Sequence, residues 1–329
     1  MPVSVAACRT IDTDIRADIS AFSDDCIAGL SRTPKSLPCI WLYDDAGSQL
    51  FDRITALAEY YPSRTEETLL REASLPVARA LGGLRSLVEF GSGASRKTRL
   101  LLAAATTIET YVPIDISATE LDRAQTSLRA DFPRLAIVPI CADFTAPDSL
   151  DLRSLRGPVL AFFPGSTLAN MAPPQAIAFL GALRRNIDLE TRLLVGVDVV
   201  KDESVLCAAY DDAEGVTAAF NLNLLTRMTR ELGASIDVTA FRHRAIWNAE
   251  EHRIEMHLEA TSRQEISVGD ERFVIEAGET IHTESSYKFS VERWQGIFAA
   301  AGWQIEAKWL SPAPQFLLAL LATGADEIA

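Results

Sequence analysis

The chain has 329 residues, of which 48% are hydrophobic and 23% are charged, and its formal net charge is −14. This length allows one large or two medium domains with full cores. The acidic balance argues against nucleic acid and anionic membranes as partners, because both require a positively charged protein surface. No apolar run reaches the roughly 20 residues that a membrane span needs.

The cysteines and histidines show no sign of a disulfide framework or of a metal-binding motif. The five cysteines are scattered without a C-x-x-C spacing, which argues against a disulfide framework and a zinc motif and favours a reducing compartment. The histidines contain no H-E-x-x-H motif, so we expect surface or strand positions for His243, His252, His257 and His282. We therefore expect a cytoplasmic monomer without a metal cofactor that takes a small-molecule substrate.

The first part of the chain is predicted to be helical. Apolar residues recur at helical spacing over Asp12–Leu30. A second helix is expected over Phe51–Leu57, with Ser48 as its cap. A third helix, over 67–80, leads to the first strand. Aromatic residues between these helices, which do not follow the spacing of a core, are candidate binding residues.

A glycine turn follows the first predicted strand, Leu84–Val88, and precedes a helix over Arg99–Ala105. Gly91 and Gly93 allow a tight turn and a close approach of backbone to ligand, because neither carries a Cβ. A strand, a glycine turn and a helix form the first unit of a doubly wound nucleotide-binding fold. A plain glycine turn in an α/β protein is the alternative interpretation.

The residues around the turn indicate which ligand it takes. A dinucleotide fingerprint has a third glycine where this chain has Arg96, which argues against an NAD-dependent oxidoreductase. Glu89 precedes the glycines, where it would repel a pyrophosphate. An acidic residue at this place suits a ligand with an amino group and a sulfonium, such as S-adenosylmethionine.

Strands and helices alternate through the middle of the chain, which predicts a parallel sheet with helices on both faces. The predicted strands are 110–114, 135–140, 158–163 and 192–197, and the helices are 117–131, with Ser117 and Glu120 as a capping box, and 174–186.

Ligands of such sheets lie beyond the carboxyl ends of the strands. Asp115 ends the second strand, where it can accept both ribose hydroxyls, and Asp143 follows the third, where it can accept from an adenine amino group with Phe144 beside the ring. Either aspartate alone could be a helix cap.

The alternation stops near Lys201. A helix over 216–232 is followed by predicted antiparallel strands at 235–245, 253–262, 264–268 and 272–275. A helix over 291–301 and a hairpin of 304–310 with 315–321 then close the chain. The predicted fold class is α/β, a Rossmann-like S-adenosylmethionine methyltransferase sheet with a second α+β substrate-binding domain.

The sequence resembles the histidine Nα-methyltransferases of ergothioneine biosynthesis over the segment from about Lys35 to Gln304. The matching segments include Trp41-Leu42-Tyr43-Asp44, Glu59-Tyr60-Tyr61-Pro62, Arg64-Thr65-Glu66, Glu89-x-Gly91-Ser92-Gly93, Gly165-Ser166-Thr167 with Asn170, Tyr210-Asp211-Asp212, Arg253-Ile254-Glu255-Met256 and Thr283-Glu284-x-Ser286-x-Lys288. Phe90 and Pro164 are mild departures from the family pattern.

The resemblance implies Nα-trimethylation of L-histidine to hercynine by S-adenosylmethionine, the first step of ergothioneine biosynthesis. It implies a methyltransferase domain of 62–200 and 288–329, and an amino-acid-binding domain of 1–61 and 201–287. It places Tyr43 near the reacting amine as the catalytic residue. The implied substrate-binding residues are Tyr60, Gly165, Asn170, Tyr210, Met256, Glu284 and Ser286. The cofactor residues are Glu89, Gly91, Gly93, Lys97, Asp115, Asp143 and Phe144, with no metal.

Several alternatives stay open. The amino acid could be tryptophan or tyrosine, although Met256, Glu284 and Ser286 favour the polar ring of histidine, and a non-catalytic cofactor-binding protein would keep the same fold. Glu284 could form an exposed ion pair with Lys288, Met256 could be core packing, and Tyr210-Asp211-Asp212 could be a surface turn.

Overall fold

The computed structural model of the chain describes residues 11–93, 95–145, 152, 155, 157–186 and 191–323. They divide into two compact units. Among the described residues, unit 1 comprises those of Tyr61–Lys201 and of 287–323, and unit 2 comprises those of 11–60 and of Asp202–Ser286. This division shows which chain segments group together, and the roles predicted for the two domains stay predictions. No helix within the described ranges is long and apolar enough to cross a membrane.

Helices and strands alternate through unit 1 and segregate in unit 2. The helices are α1 (Ile11–Leu30), α2 (Asp45–Ile54), α3 (Tyr61–Ala80), α4 (Thr98–Ala104), α5 (Ala118–Asp131), α6 (Pro173–Arg185), α7 (Glu203–Tyr210), α8 (Val216–Leu232) and α9 (Val291–Ala300). The strands are β1 (Lys35–Ser36), β2 (Ser86–Phe90), β3 (Thr110–Asp115), β4 (Ala136–Ile137), β5 (Ile140–Cys141), β6 (Val159–Phe163), β7 (Arg192–Asp198), β8 (Phe241–Asn248), β9 (Arg253–Ala260), β10 (Gln264–Val268), β11 (Glu271–Ile275), β12 (Thr280–Tyr287), β13 (Trp303–Leu310) and β14 (Phe316–Thr323).

The sheet of unit 1 has eight strands, in the order β13-β14-β7-β6-β2-β3-β4, with β5 also paired to β3. Strands β2 to β7 pair in parallel, whereas β14 runs antiparallel to both β7 and β13. The chain runs outward from β2 in one direction and returns to β6 on its other side. The reversal of strand order therefore lies between β2 and β6, where ligands of doubly wound sheets bind. The predicted fold class is confirmed.

Helices cover both faces of this sheet. Every residue of β2 and β6 is buried, which explains why these strands are continuous apolar runs. Val88 and Phe90 belong to the core with α6 and α9, whereas Leu87 belongs to the core with α3 and α4. Alternate residues of a strand thus supply two separate cores, as the twofold period of a strand requires.

Unit 2 contains a four-stranded sheet in the order β1-β12-β9-β8 and a separate antiparallel pair, β10 and β11. Buried and half-buried residues alternate along β9 from Arg253 to Leu258 and along the first half of β12. In β12 the alternation shifts by one residue, because Thr283 and Glu284 are both buried. This shift brings Glu284 and Ser286 to the buried side, while His282 and Ser285 stay half-buried on the other.

Several predicted boundaries were wrong. Helix α2 begins six residues earlier than predicted, and its cap is Asp44, whose carboxylate accepts from the amide of Gly47, so Ser48 lies inside the helix. Helix α3 begins at Tyr61 rather than at residue 67. The strand predicted over 135–140 is two short strands, β4 and β5. Helix α7 and strand β12 were not predicted.

One buried ionic cluster lies at the carboxyl end of β7. Asp198 is fully buried and pairs with two lysines, Lys201 and Lys288, the latter at 3.1 Å. Tyr61 donates its hydroxyl to Asp198 at 2.5 Å and accepts from Lys201 at 2.8 Å. Burial would raise the pKa of Asp198, but the charges of the two lysines outweigh it and lower the pKa below its usual value. The same burial lowers the pKa of Lys201 to about 8.

Replacement of Asp198 tests this cluster. We expect Asp198→Asn to lower the free energy of unfolding by about 3–5 kcal/mol, because the buried ammonium group of Lys288 and the half-buried one of Lys201 lose their counter-charge. Since the pKa of Asp198 is lowered in the folded state, its contribution is present above pH ~4 and is lost as the pH falls. Urea denaturation at pH 7 measures the effect. Glu109→Gln, which breaks an exposed pair with Arg85, is the matched control and should cost less than about 1 kcal/mol.

Candidate functional site

The glycine turn after β2 is held by a buried hydrogen-bonded network. Glu89 is fully buried and its Oε2 accepts from the hydroxyls of Thr98 and Tyr111. Ser95 and Tyr111 are joined by a further hydroxyl–hydroxyl bond of 2.8 Å. Burial raises the pKa of Glu89 to about 7, although the hydrogen bonds from Thr98 and Tyr111 oppose the rise. Thr98 and Tyr111 are functional candidates that the sequence analysis missed.

Asp115 fastens the same turn from the end of β3. Its Oδ2 accepts from the amide of Gly93 at 2.9 Å, and its Oδ1 accepts from the amide of Ser117 at 3.0 Å. Gly91 and Gly93 have positive φ angles of 69° and 44°, which favour glycine. Burial raises the pKa of Asp115. Asp115 thus links the glycine turn to the start of α5, and each of its oxygens keeps a second lone pair for a ligand.

Phe144 lies against the glycine turn. A Cβ on Gly91 would be 3.6 Å from the Phe144 ring, so the missing Cβ leaves that edge of the ring uncovered. The ring packs edge-on against Phe90 and Phe163. Asp143 is half-buried, and its Oδ1 accepts from the amide and the hydroxyl of Thr145. An apolar ring beside a carboxylate fits the adenine of a nucleoside cofactor.

Glu66 connects two predicted site residues and was itself missed. Its fully buried carboxylate accepts from Lys97 at 2.5 Å and from the amide of Gly165 at 2.8 Å. A Cβ on Gly196 would lie 1.8 Å from Glu66 Oε1, so only glycine leaves room for this carboxylate beside β7. Glu66 lies on the buried stripe of α3. A charged residue at an apolar position of a helix is the sequence signal that could have revealed it. Asn170, also in unit 1, is half-buried at the end of a 3₁₀ turn.

The predicted aromatic residues of unit 2, Tyr43, Tyr60 and Tyr210, lie in one cluster. Tyr43 packs edge-on against Phe51 and Phe220, with ring centroids 5.6 and 5.4 Å apart. Tyr60 packs edge-on against Phe51 and Tyr210 at 6.2 and 6.1 Å. Phe51 lies on α2, Tyr210 on α7 and Phe220 on α8, whereas Tyr43 precedes α2 and Tyr60 follows it. Helix packing therefore brings distant segments together. Phe51 and Phe220 were not predicted as site residues.

Polar groups of β12 border this cluster. Tyr210 and Ser286 are both buried, and the Tyr210 hydroxyl donates to Ser286 Oγ at 3.0 Å. Burial and the nearby charge of Glu284 raise the pKa of the Tyr43 phenol well above its usual value. Tyr43 therefore stays protonated at neutral pH and is a hydrogen-bonding group rather than a base.

Met256 is anchored through its backbone. It is buried on β9, and its carbonyl oxygen lies 3.0 Å from Thr283 Oγ1. Thr283 also lies 2.7 Å from the side-chain oxygen of Asn221 on α8. These contacts fix β9 and β12 against α8, so the position of Met256 relative to Ser286 and Glu284 is set by rigid elements.

Three alternative interpretations of these residues can be compared with the structure. Glu284 and Lys288 are both buried, so an exposed ion pair between them is wrong. Tyr210 is buried at the end of α7, and Asp212 caps α8 by accepting from the amides of Val216 and Thr217, so this segment is not a plain surface turn. The burial of Met256 is compatible with core packing and with a substrate contact alike.

The fold and the glycine turn define a class of protein. The sheet order, the terminal antiparallel hairpin and the acidic residues at the carboxyl ends of β2 and β3 are those of a Rossmann-like enzyme that binds a nucleoside cofactor carrying an amino group. A family model of the SAM-dependent histidine-specific methyltransferases matches residues 22–323. The chain belongs to this family and is a SAM-dependent methyltransferase.

Curated relatives agree with this assignment. The chain is 43% identical to the histidine N-alpha-methyltransferase of Mycolicibacterium smegmatis, over 91% of this chain and 94% of that protein. It is 43% identical to the histidine N-alpha-methyltransferase of Mycobacterium tuberculosis, over 92% and 95% of the two chains. It is also 28% identical to ergothioneine biosynthesis protein 1 of Neurospora crassa, over 84% of this chain and 32% of that protein.

The raised pKa of Glu89 gives a test of its predicted contact with the cofactor. At pH 6 this carboxyl is mostly protonated, and at pH 7.5 it is mostly ionised. If it accepts from the ammonium of the cofactor, S-adenosylhomocysteine should bind about five- to tenfold more tightly at pH 7.5 than at pH 6. Isothermal titration calorimetry at both pH values measures this change. Glu89→Gln should abolish the pH dependence; an unchanged dependence in this variant would assign it to another group.

Proposed function

We propose that this chain transfers methyl groups from S-adenosylmethionine to the α-amino group of L-histidine, three times in succession, to give hercynine. Membership of the histidine-specific family supports the reaction class. The single observation that carries the choice of substrate is the cluster in unit 2, where Tyr43 and Tyr210 lie with two polar residues of β12, Glu284 and Ser286. We propose that this cluster is the amino-acid site.

The polar residues suit an imidazole ring. The Glu284 carboxylate accepts a hydrogen bond from one ring N–H, and Ser286 pairs with the other ring nitrogen. Tryptophan has one ring nitrogen and tyrosine has none, so at least one of these two groups would lack a ring-nitrogen partner in a buried place. A site built around such pairs rejects substrates that lack them. Buried Met256 supplies an apolar contact for the ring.

The aromatic residues of this cluster suit the α-amino group of the substrate and the trimethylammonium group of the product. The α-amino group titrates near pH ~8 and must lose its proton before it attacks. Tyr43 stays a neutral phenol, so it orients the lone pair without adding a fixed charge. The faces of Tyr60, Phe51 and Phe220 tolerate the trimethylammonium group of the product, because cations bind well over aromatic rings. For Gly165 and Asn170, in unit 1, contact with the substrate is proposed from the resemblance alone.

The residues of unit 1 are proposed to hold the cofactor. The open edge of Phe144 beside Gly91 takes the adenine ring, Asp115 takes the ribose hydroxyls and Glu89 the ammonium. When bound, S-adenosylmethionine supplies an electrophilic methyl carbon on its sulfonium. The protein contributes position and alignment, which can be worth roughly 7–11 kcal/mol of the barrier.

We propose that this transfer uses no metal and that the enzyme is a cytoplasmic monomer. Gel filtration tests the oligomeric state.

Mass spectrometry of the reaction product tests the proposed reaction. Histidine incubated with the enzyme and S-adenosylmethionine should gain three methyl groups, whereas tryptophan and tyrosine should gain none. A methylated aromatic amino acid, with histidine unchanged, would refute the substrate and keep the enzyme class.

Replacement of Glu284 tests its role as the imidazole reader. We expect Glu284→Ala to lower kcat/KM for histidine by at least about tenfold, mainly through KM, because a charge-assisted hydrogen bond to the ring is lost. The Kd of S-adenosylhomocysteine should change less than about twofold. Glu265→Ala, at an exposed position of β10 in the same unit, is the matched control and should behave like the wild type. Equal losses of histidine and cofactor binding would remove Glu284 from this role.

A further inference from the structure

A second polar cluster occupies the other side of the unit 2 sheet. Glu255 and His257 of β9 and His282 of β12 each place one potential ligand atom within 4.8 Å of the other two. Glu255 Oε2 lies 2.9 Å from His257 Nε2, and the two imidazole rings are 5.1 Å apart at their centroids. Within the described ranges, this is the group of histidine, cysteine and acidic residues with spacing suited to a metal ion.

The pattern of burial separates this cluster from the proposed amino-acid site. Glu255 and His257 flank Met256 on β9 and alternate with it between half-buried and buried positions. His282 lies on the half-buried side of β12, whereas Glu284 lies on the buried side after the shift in alternation. The cluster therefore has no part in the proposed recognition of histidine. The side chains of Glu255 and His257 are each 12% exposed, which leaves a route for a small ion.

Neighbouring groups orient the ligand atoms. Arg253 Nε and Asn248 Nδ2 donate to Glu255 Oε1 at 2.7 and 2.9 Å, which directs the other carboxylate oxygen, Oε2, to His257. Such outer partners of a carboxylate are a common feature of metal sites. His257 Nδ1 is buried and has no hydrogen-bond partner among the described residues. An ion bound by His257 Nε2 and Glu255 Oε2 would take the place of the proton between them, and the ring proton would then lie on Nδ1.

We propose that Glu255, His257 and His282 bind a divalent transition-metal ion such as Zn²⁺. One carboxylate and two imidazoles, with a fourth position left to water, are a donor set that Zn²⁺ takes. Tetrahedral ligands about 2.0–2.1 Å from zinc lie about 3.3 Å from one another. Ligand atoms that are up to 4.8 Å apart therefore have to close in by up to about 1.5 Å. His282 Nε2 lies 2.9 Å from the carbonyl oxygen of Glu284 and 3.1 Å from Ser285 Oγ, and His282 binds the ion through whichever ring nitrogen does not carry the proton.

The sequence could not reveal this site, because its ligands come from two strands. Glu255 and His257 are two residues apart, and His282 follows 25 residues later on a strand that pairing in the sheet places beside β9. The resulting spacing matches no contiguous zinc motif. His257 and His282 lie on strands, as the sequence predicts, and the proposal gives these strand residues a ligand role in addition.

Zinc titration of the untagged chain, without histidine because free histidine chelates the ion, tests the proposal. Isothermal titration calorimetry should show one saturable Zn²⁺ site in the wild type and no comparable Mg²⁺ site. His257→Ala and His282→Asn should each weaken zinc binding at least tenfold. His252→Ala, at an exposed turn in the same unit, is the matched control and should bind zinc as the wild type does.

Two further readouts keep the test decisive. Hydrogen exchange should show that Zn²⁺ protects peptides of β9 and β12 and leaves other peptides unchanged. Circular dichroism of each variant checks that it is folded, and Glu255→Gln replaces any histidine variant that is not. The proposal is overturned if the wild type shows no saturable binding, or if the folded ligand variants bind zinc as tightly as the wild type, which would indicate adventitious binding by surface carboxylates.

Discussion

Unit 1 depends on the compensation of charge around Asp198. Lys288 is fully buried and Lys201 is half-buried at the end of β7, and both ammonium groups would be unfavourable there without this one carboxylate. Tyr61, Lys201 and Lys288 each lie within two residues of a point where the chain passes from one unit to the other. A single cluster therefore fixes all three passages on the side of unit 1.

The predicted cofactor residues and the predicted amino-acid-binding residues are positioned by different interactions. The cofactor group follows from backbone requirements, since Gly91, Gly93 and Asp115 form a turn held by main-chain hydrogen bonds. The amino-acid group follows from side-chain packing, since Tyr43 and Tyr210 reach one cluster through aromatic contacts. The cofactor group can be recognised from a short stretch of sequence. The second becomes visible only when distant helices and strands are packed.

The sequence predicts the strands of unit 1 well for a simple reason. Strands buried on both faces are continuous apolar runs, and the acidic residues at their ends mark the ligand side. The shift in alternation that turns Glu284 inward could not be predicted, because one-residue irregularities are set by pairing across the sheet. Nor could the partners of Glu66, which come from Lys97 and Gly165, far along the chain. The resemblance supplied the substrate residues, and their roles remain proposals.

The central claim is that unit 2 carries a site for the imidazole of histidine. Isothermal titration of the twenty amino acids against protein saturated with S-adenosylhomocysteine tests it most directly. The account predicts saturable binding of histidine and binding at least tenfold weaker for tryptophan and tyrosine. Tighter binding of an aromatic amino acid would leave the fold and enzyme class intact, but it would contradict the assignment of Glu284, Ser286 and Met256 to the imidazole ring.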